Sequence, residues 1–218
     1  MNTRTVIIGG VIVVAVAAGL WMFKQHLDHS AIMGLVQDSG TRLAETLAVE
    51  ARPAAIGPET VRKFDAHLAA AEKNRAALKR LESADRQALV DAADGYLVTA
   101  QEILRRQAVG HRSRLQLAES LQALRAHFRA DRGAASWVRE AVRLRAPMEK
   151  NYADYRGAAE TFDQLLESLP ASQMKAAALV SGMPIASENL IADARKASKD
   201  QLARATAEVE KIRQITPR

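Results

Sequence analysis

Cysteine is absent from this 218-residue chain. That excludes disulfide staples, thiolate metal centres, a cysteine nucleophile and a lipidated N-terminal cysteine. Aromatic residues are scarce at 4%, and there are no Asn-Gly turns or alternating β-branched runs to suggest hairpins of strands. Also missing are a glycine-rich phosphate loop, a serine in a glycine-flanked elbow and a metalloprotease His-Glu pair. With those motifs gone, the chain reads as a non-enzyme that needs no cofactor and no metal. It shows no internal repeat of 20 to 50 residues and no low-complexity tract.

What is present is a long-helix composition. Ala, Leu and Arg dominate, hydrophobic residues reach 48% and charged residues 26%, so the chain is able to bury a core and is expected to be all-α. One stretch differs from the rest. TVIIGGVIVVAVAAGLWMF, Thr5 to Phe23, contains an unbroken apolar run from Val6 to Phe23 that ends at Lys24. As a helix this run spans roughly 27 Å, close to the ~30 Å hydrocarbon layer of a bilayer. Trp21 and Lys24 suit an interface. The segment is therefore read as a single transmembrane signal anchor, residues 1–23, with 6–23 in the membrane. The alternative is a cleaved signal peptide, because Ala15-Val16-Ala17 has small residues at the first and third places. A short leading tail normally stays inside and a long following domain crosses. Residues 24–218 are thus expected outside the inner membrane, in the periplasm if the source is bacterial, or secreted if the segment is cut.

Helix breaks divide residues 24–218 into an elongated antiparallel bundle of about five helices, roughly 24–51, 58–81, 84–130, 135–168 and 171–215. Arg52–Pro58 closes the first and opens the second with proline in its first turn. Ser83 is a competent N-cap. A turn there keeps the second helix from descending further than the ~42 Å that the first rises. Asp131–Ser136 and Leu169–Ser172 read as turns, Ser181–Pro184 as a kink or division of the last helix, and Pro147 as a kink.

Two seams with a 3.5-residue period flank the Gly133 turn. One runs from Leu89 to Phe128, the other from Trp137 to Leu169, and together they predict a helical hairpin. Folding it about Arg132 and Gly133 sets Phe128 against Trp137, Leu121 against Leu144 and Ile103 against Phe162. At one height the seam turns polar, with Gly110 opposite Tyr155 and Arg114 opposite Asn151. That layer either fixes register, as polar seam residues do, or forms a small pocket for an anionic ligand lined by Gln107, His111, Arg114, Asn151 and Tyr155. The last helix carries its own seam, from Ile191 through Ser198 to Ile212, and is able to close the bundle or pair with a second copy in a homo-oligomer.

Charge is distributed unevenly. Between Arg105 and Arg145 lie ten arginines, no lysine and only Glu119, Asp131 and Glu140 as acids. The hairpin end therefore holds the positive excess, and Arg125, Arg129, Arg132, Arg139 and Arg143 are expected to be exposed around it. Guanidinium forks suit carboxylate and phosphate partners, so an acidic protein surface or an anionic envelope polymer is the expected partner. Nucleic acid is disfavoured for want of any recognised module. His26 and His29 have a spacing that would suit a metal, but no further ligands lie nearby and they read as a polar cap beside the membrane segment. Two readings follow: an interaction or scaffold module acting through a basic tip, or a sensor-like ligand-binding module acting through the polar layer.

Overall fold

The computed structural model describes residues 28–52, 57–81, 86–129, 136–180 and 182–215. They form five helices with no strand among them. Helix α1 covers 28–50. It is followed by α2, Pro58–Leu78, which tightens into a 3-10 turn at Lys79–Leu81, and then by α3, Gln87–Arg129, α4, Trp137–Ala177, and α5, Glu188–Ile215. Among the described residues no helix is long and apolar enough to cross a membrane. The expected anchor at 6–23 lies outside them, as do the stretch around Ser83 and the hairpin turn at 130–135.

Local chemistry accounts for the boundaries. Gly57 precedes α2 in an extended conformation, φ −110 and ψ 176, and Pro58 takes a first-turn position, where its missing N–H would have no helical partner anyway. The turn expected at Leu169–Ser172 is absent, so the boundaries 135–168 and 171–215 are corrected: α4 continues through both Pro147 and Pro170 to Ala177. A proline inside a helix costs about 3 kcal/mol. Leu166 and Leu169 flank Pro170 and are both fully buried in the core; at roughly 1.5–3 kcal/mol each for a buried leucine, packing outweighs the local penalty. Thr99 and Ser172 also meet, Oγ1 to Oγ, at 3.1 Å.

The true division falls where Ser181–Pro184 allowed one. Gly182 has φ +71, a left-handed turn that glycine adopts without steric cost. The linker then crosses α1 so closely that a Cβ on Gly40 would stand 2.8 Å from Pro184 Cγ and 3.0 Å from its carbonyl oxygen. Gln173 Nε2 donates to the Ala186 carbonyl at 3.2 Å and holds the same linker from the α4 side.

Successive helices pack antiparallel. His67 meets Thr46 and Asn74 meets Asp38 between α2 and α1. Arg112 meets Asp65 and Arg75 meets Asp94 between α3 and α2. Phe128 and Trp137 stack obliquely with centroids 5.7 Å apart at the far end of α3 and α4. Arg195–Asp163 and Tyr152–Thr206 join α5 to α4. The base half, where α3 begins, is built from α1, α2, α3, α4 and the start of α5 around Ile32, Leu43, Tyr96, Ile103, Phe162 and Leu169. Among the described residues, the core of the upper half is drawn from α3, α4 and α5, around Leu117, Leu121, Met148, Tyr152 and Val209.

Candidate functional site

The polar layer sits at the junction of those halves, where α1 stops and α5 takes over. Gln107, His111 and Tyr155 come together there as expected, all buried. Two groups join them from other helices: Glu50 from the end of α1, with its side chain 4% exposed and Oε2 2.9 Å from His111 Nε2, and the buried Ser198 from α5. The Phe64 ring tilts against His111 with centroids 4.7 Å apart. The Glu50–His111 contact is not aligned as a hydrogen bond, so Glu50 Oε2 and both His111 ring nitrogens have no hydrogen-bond partner among the described residues. Burial pushes the Tyr155 phenol up to about 12; the Arg114 charge works against the shift and Glu50 adds to it. The gap between these groups is about 10 Å³, room for one water at most.

Arg114 and Asn151 do not pair, which corrects the expected register. Arg114 Nη1 donates instead to Gln201 Oε1 on α5, and Asn151 Nδ2 donates to Ser120 Oγ at 3.0 Å. Gly110 and Tyr155 do line the same space, but a Cβ on Gly110 would meet Ala158 Cβ at 3.5 Å, one turn from the tyrosine. The reason is α5, which packs beside the hairpin. Two seams fix a hairpin, whereas the polar partners of its outer edges are decided by what packs beside it.

Glu50 was detectable in the sequence. Ile32, Val36, Ser39, Leu43, Thr46 and Glu50 follow one another by alternating steps of four and three, and all six are buried. The seam thus carries the acid inward at the last turn of α1. Gln201 is less legible, because the apolar Leu202 beside it competes for the same place in the α5 seam and both are half-buried.

At the hairpin end, Arg125, Arg129, Arg139 and Arg143 are all exposed; Arg132 lies outside the described residues. Arg125 pairs with Glu208 of α5 at 3.2 Å and Arg143 with Glu140 at 2.6 Å. Arg129 and Arg139 make no ion pair among the described residues. Val138 and Val142 stand beside them, 50% and 47% exposed. The hairpin closes on a clamp: His127 Nε2 donates to the Trp137 carbonyl at 2.9 Å, Trp137 Nε1 donates to the His127 carbonyl at 3.3 Å, and the two rings stack 4.8 Å apart. Further from this end four of the arginines are neutralised, Arg114 being the exception among the described residues. Arg105 reaches Glu72, Arg106 reaches Glu102, Arg112 reaches Asp65 and Arg145 reaches Glu149. The uncompensated charge is therefore narrower than the sequence run that carries it.

Among the described residues no cluster of three or more His, Asp or Glu side chains is placed to hold a metal; of the two histidines near the N-terminus, His26 lies outside them. The chain matches no family model, no curated protein and no solved structure, so a functional reading rests on the geometry of these two places.

Proposed function

We propose that this chain is a non-enzymatic helical interaction module, held to a membrane by residues 6–23, that captures an acidic protein surface or anionic polymer with the end of the α3–α4 hairpin. The observation that carries the reading is the combination at that end. Four arginines are exposed, two of them without a counter-charge among the described residues, and two exposed valines share the same turns of α4. Charge there steers and orients a partner, and the valines supply apolar area for it to cover. The polar layer at the mid-bundle then serves register, since the gap of about 10 Å³ between its groups is too small for an organic ligand.

The test is capture of a crosslinked partner from membranes by the full chain, compared with a variant carrying Arg125, Arg129, Arg139 and Arg143 all changed to Gln. Capture should fall with the substitutions and with added salt, because surface attraction is screened beyond ~8 Å at physiological ionic strength. A partner retained equally by both proteins at low and high salt would refute the docking reading. N-terminal sequencing of the membrane-bound protein tests the tether separately, and a mature start at Ala18 or Gly19 would remove it.

A further inference from the structure

A second concave surface lies beside the polar layer. Because α1 ends at the junction while α3 and α5 continue, the bundle has a step there, and the step is an open cleft of about 490 Å³. That volume falls within the roughly 300–1,000 Å³ of small-molecule pockets. One wall is a single face of α5, on which Asp193, Lys196, Asp200 and Arg204 follow one another by three or four residues. Arg114 of α3 and Gln201 form the inner boundary.

The charges in this cleft differ from those around it. On the adjacent face of α5, Arg195 and Lys199 are both held by Asp163, at 2.7 and 3.1 Å. Asp193, Lys196, Asp200 and Arg204 make no ion pair among the described residues. Arg114 is half-buried, yet its guanidinium is bonded to a neutral amide and has no carboxylate partner there. A sheltered guanidinium without a counter-charge is an incomplete arrangement, and a carboxylate is the group that completes it best. Gln201 also lines the small gap below, where the atoms of Glu50 and His111 that lack a hydrogen bond lie. The amide is thus the partition between the cleft and a buried polar pair.

The signs of the lining groups select the ligand. A simple anion would meet two aspartates, and a simple cation would meet three bases. A molecule carrying both charges meets complementary groups at each end. Asp200 precedes Arg204 by one turn, about 6 Å along the axis, so a ligand whose carboxylate reaches Arg114 and Arg204 has its ammonium beside Asp200. We propose that this cleft is a binding site for a small zwitterion of the α-amino acid class, with Arg114 and Arg204 taking the carboxylate and Asp200 the ammonium. The site is independent of the hairpin end, and either is able to fail without the other.

The experiment is calorimetric titration of the full chain in detergent with each of the twenty common amino acids, using acetate and methylammonium as single-charge controls. At least one amino acid should bind at millimolar concentration or below, while each control binds at least about tenfold more weakly. Arg114→Gln and Asp200→Asn should each weaken amino acid binding by roughly tenfold, the scale of one charge-assisted hydrogen bond. Asp200 is exposed, so its variant tests the site even if Arg114→Gln disturbs the fold. Ala197→Trp should block the cleft with the charges intact. Silence from all twenty amino acids overturns the proposal. Acetate binding as tightly as the amino acid, with Asp200→Asn without effect, overturns it too, by making the cleft an anion site.

Discussion

The base and upper halves of the bundle share the same two long helices and differ in what is laid against them. In the base, α1 and α2 cover α3 and α4 over a mostly aliphatic core that also buries Tyr96 and Phe162. In the upper half the core they share, among the described residues, is completed by α5. The smaller core there contains Tyr152 and Tyr155 and is edged by Arg213, which reaches Glu149 at 3.0 Å. That carboxyl is held below its ordinary range, first by its hydrogen bond from Arg213 and also by Arg145. A continuous helical hairpin thus acquires two characters from its partners: a base closed by a large buried core, and an upper half with a smaller core edged by pairs such as Arg213–Glu149. Edge pairs of this kind, about a third exposed, each contribute little, so the base is the half that sets the stability of the whole.

The sharpest break of that comparison is Phe162→Ala. Phe162 is buried in the base core next to the junction, and its truncation should cost about 3–5 kcal/mol, read as a shift in denaturant midpoint. A loss below about 1 kcal/mol would mean that the base is not the stabilising half. Gly40→Ala comes next. The new methyl would fall within 3.0 Å of the linker at Pro184 and 3.1 Å from the Tyr96 hydroxyl, and should cost about 1–3 kcal/mol by overpacking. An unchanged melting temperature would show that the linker is free to lift away from α1. Gly110→Ala should act in the opposite direction. Its Cβ meets Ala158 only at ordinary contact distance, so replacing a mid-helix glycine should gain about 0.5–1 kcal/mol. A loss instead would place Tyr155 closer to Gly110 than described.

The narrowest effect is a dependence on pH. Burial holds the His67 imidazole below its ordinary pKa, with Glu45 opposing and Lys63 and Arg42 adding to the shift. A group whose folded pKa is lowered stabilises the fold above its unfolded pKa, and that contribution is lost as pH falls through the folded value. Lowering the pH from about 7 to about 5, the range in which histidine titrates, should therefore weaken the protein, and His67→Gln should remove that part of the slope. Asp38 and Asp163 are also held low by their arginine partners, so their losses begin only in more acid solution. Melting temperatures across this range for both proteins separate the two windows; an unaltered slope in the variant would remove His67 from the account.

Much of the fold was legible because helices announce themselves through spacing. The α3 and α4 seams, the clamp of Phe128 on Trp137 and the start of α2 at Pro58 all follow from local pattern. Pro170 was not legible as helical, since its cost is local while the burial of Leu166 and Leu169 that offsets it depends on helices distant in sequence. The same distinction governs the site. Gln107, His111 and Tyr155 share one hairpin and were brought together correctly. Arg114 was assigned to Asn151 because the competing partner, Gln201, arrives on α5, whose height along the hairpin is set by the linker at Gly182 and Pro184. At the tip, exposure of the arginines was readable, but the pairing of Arg125 was not, because Glu208 reaches it from α5; in the same way Glu72 of α2 reaches Arg105 lower on α3.

The continuity of α3 and α4 through both halves has a mechanical meaning. A 43-residue helix is about 64 Å long, and here two such rods are bolted side by side from end to end. The pair behaves as a lever whose fulcrum is the base. A rotation of one degree about the foot of α3, inside the collar formed by α1 and α2, sweeps the arginine end through about 1 Å over that ~64 Å length. Force applied at that end therefore returns to the collar as torque.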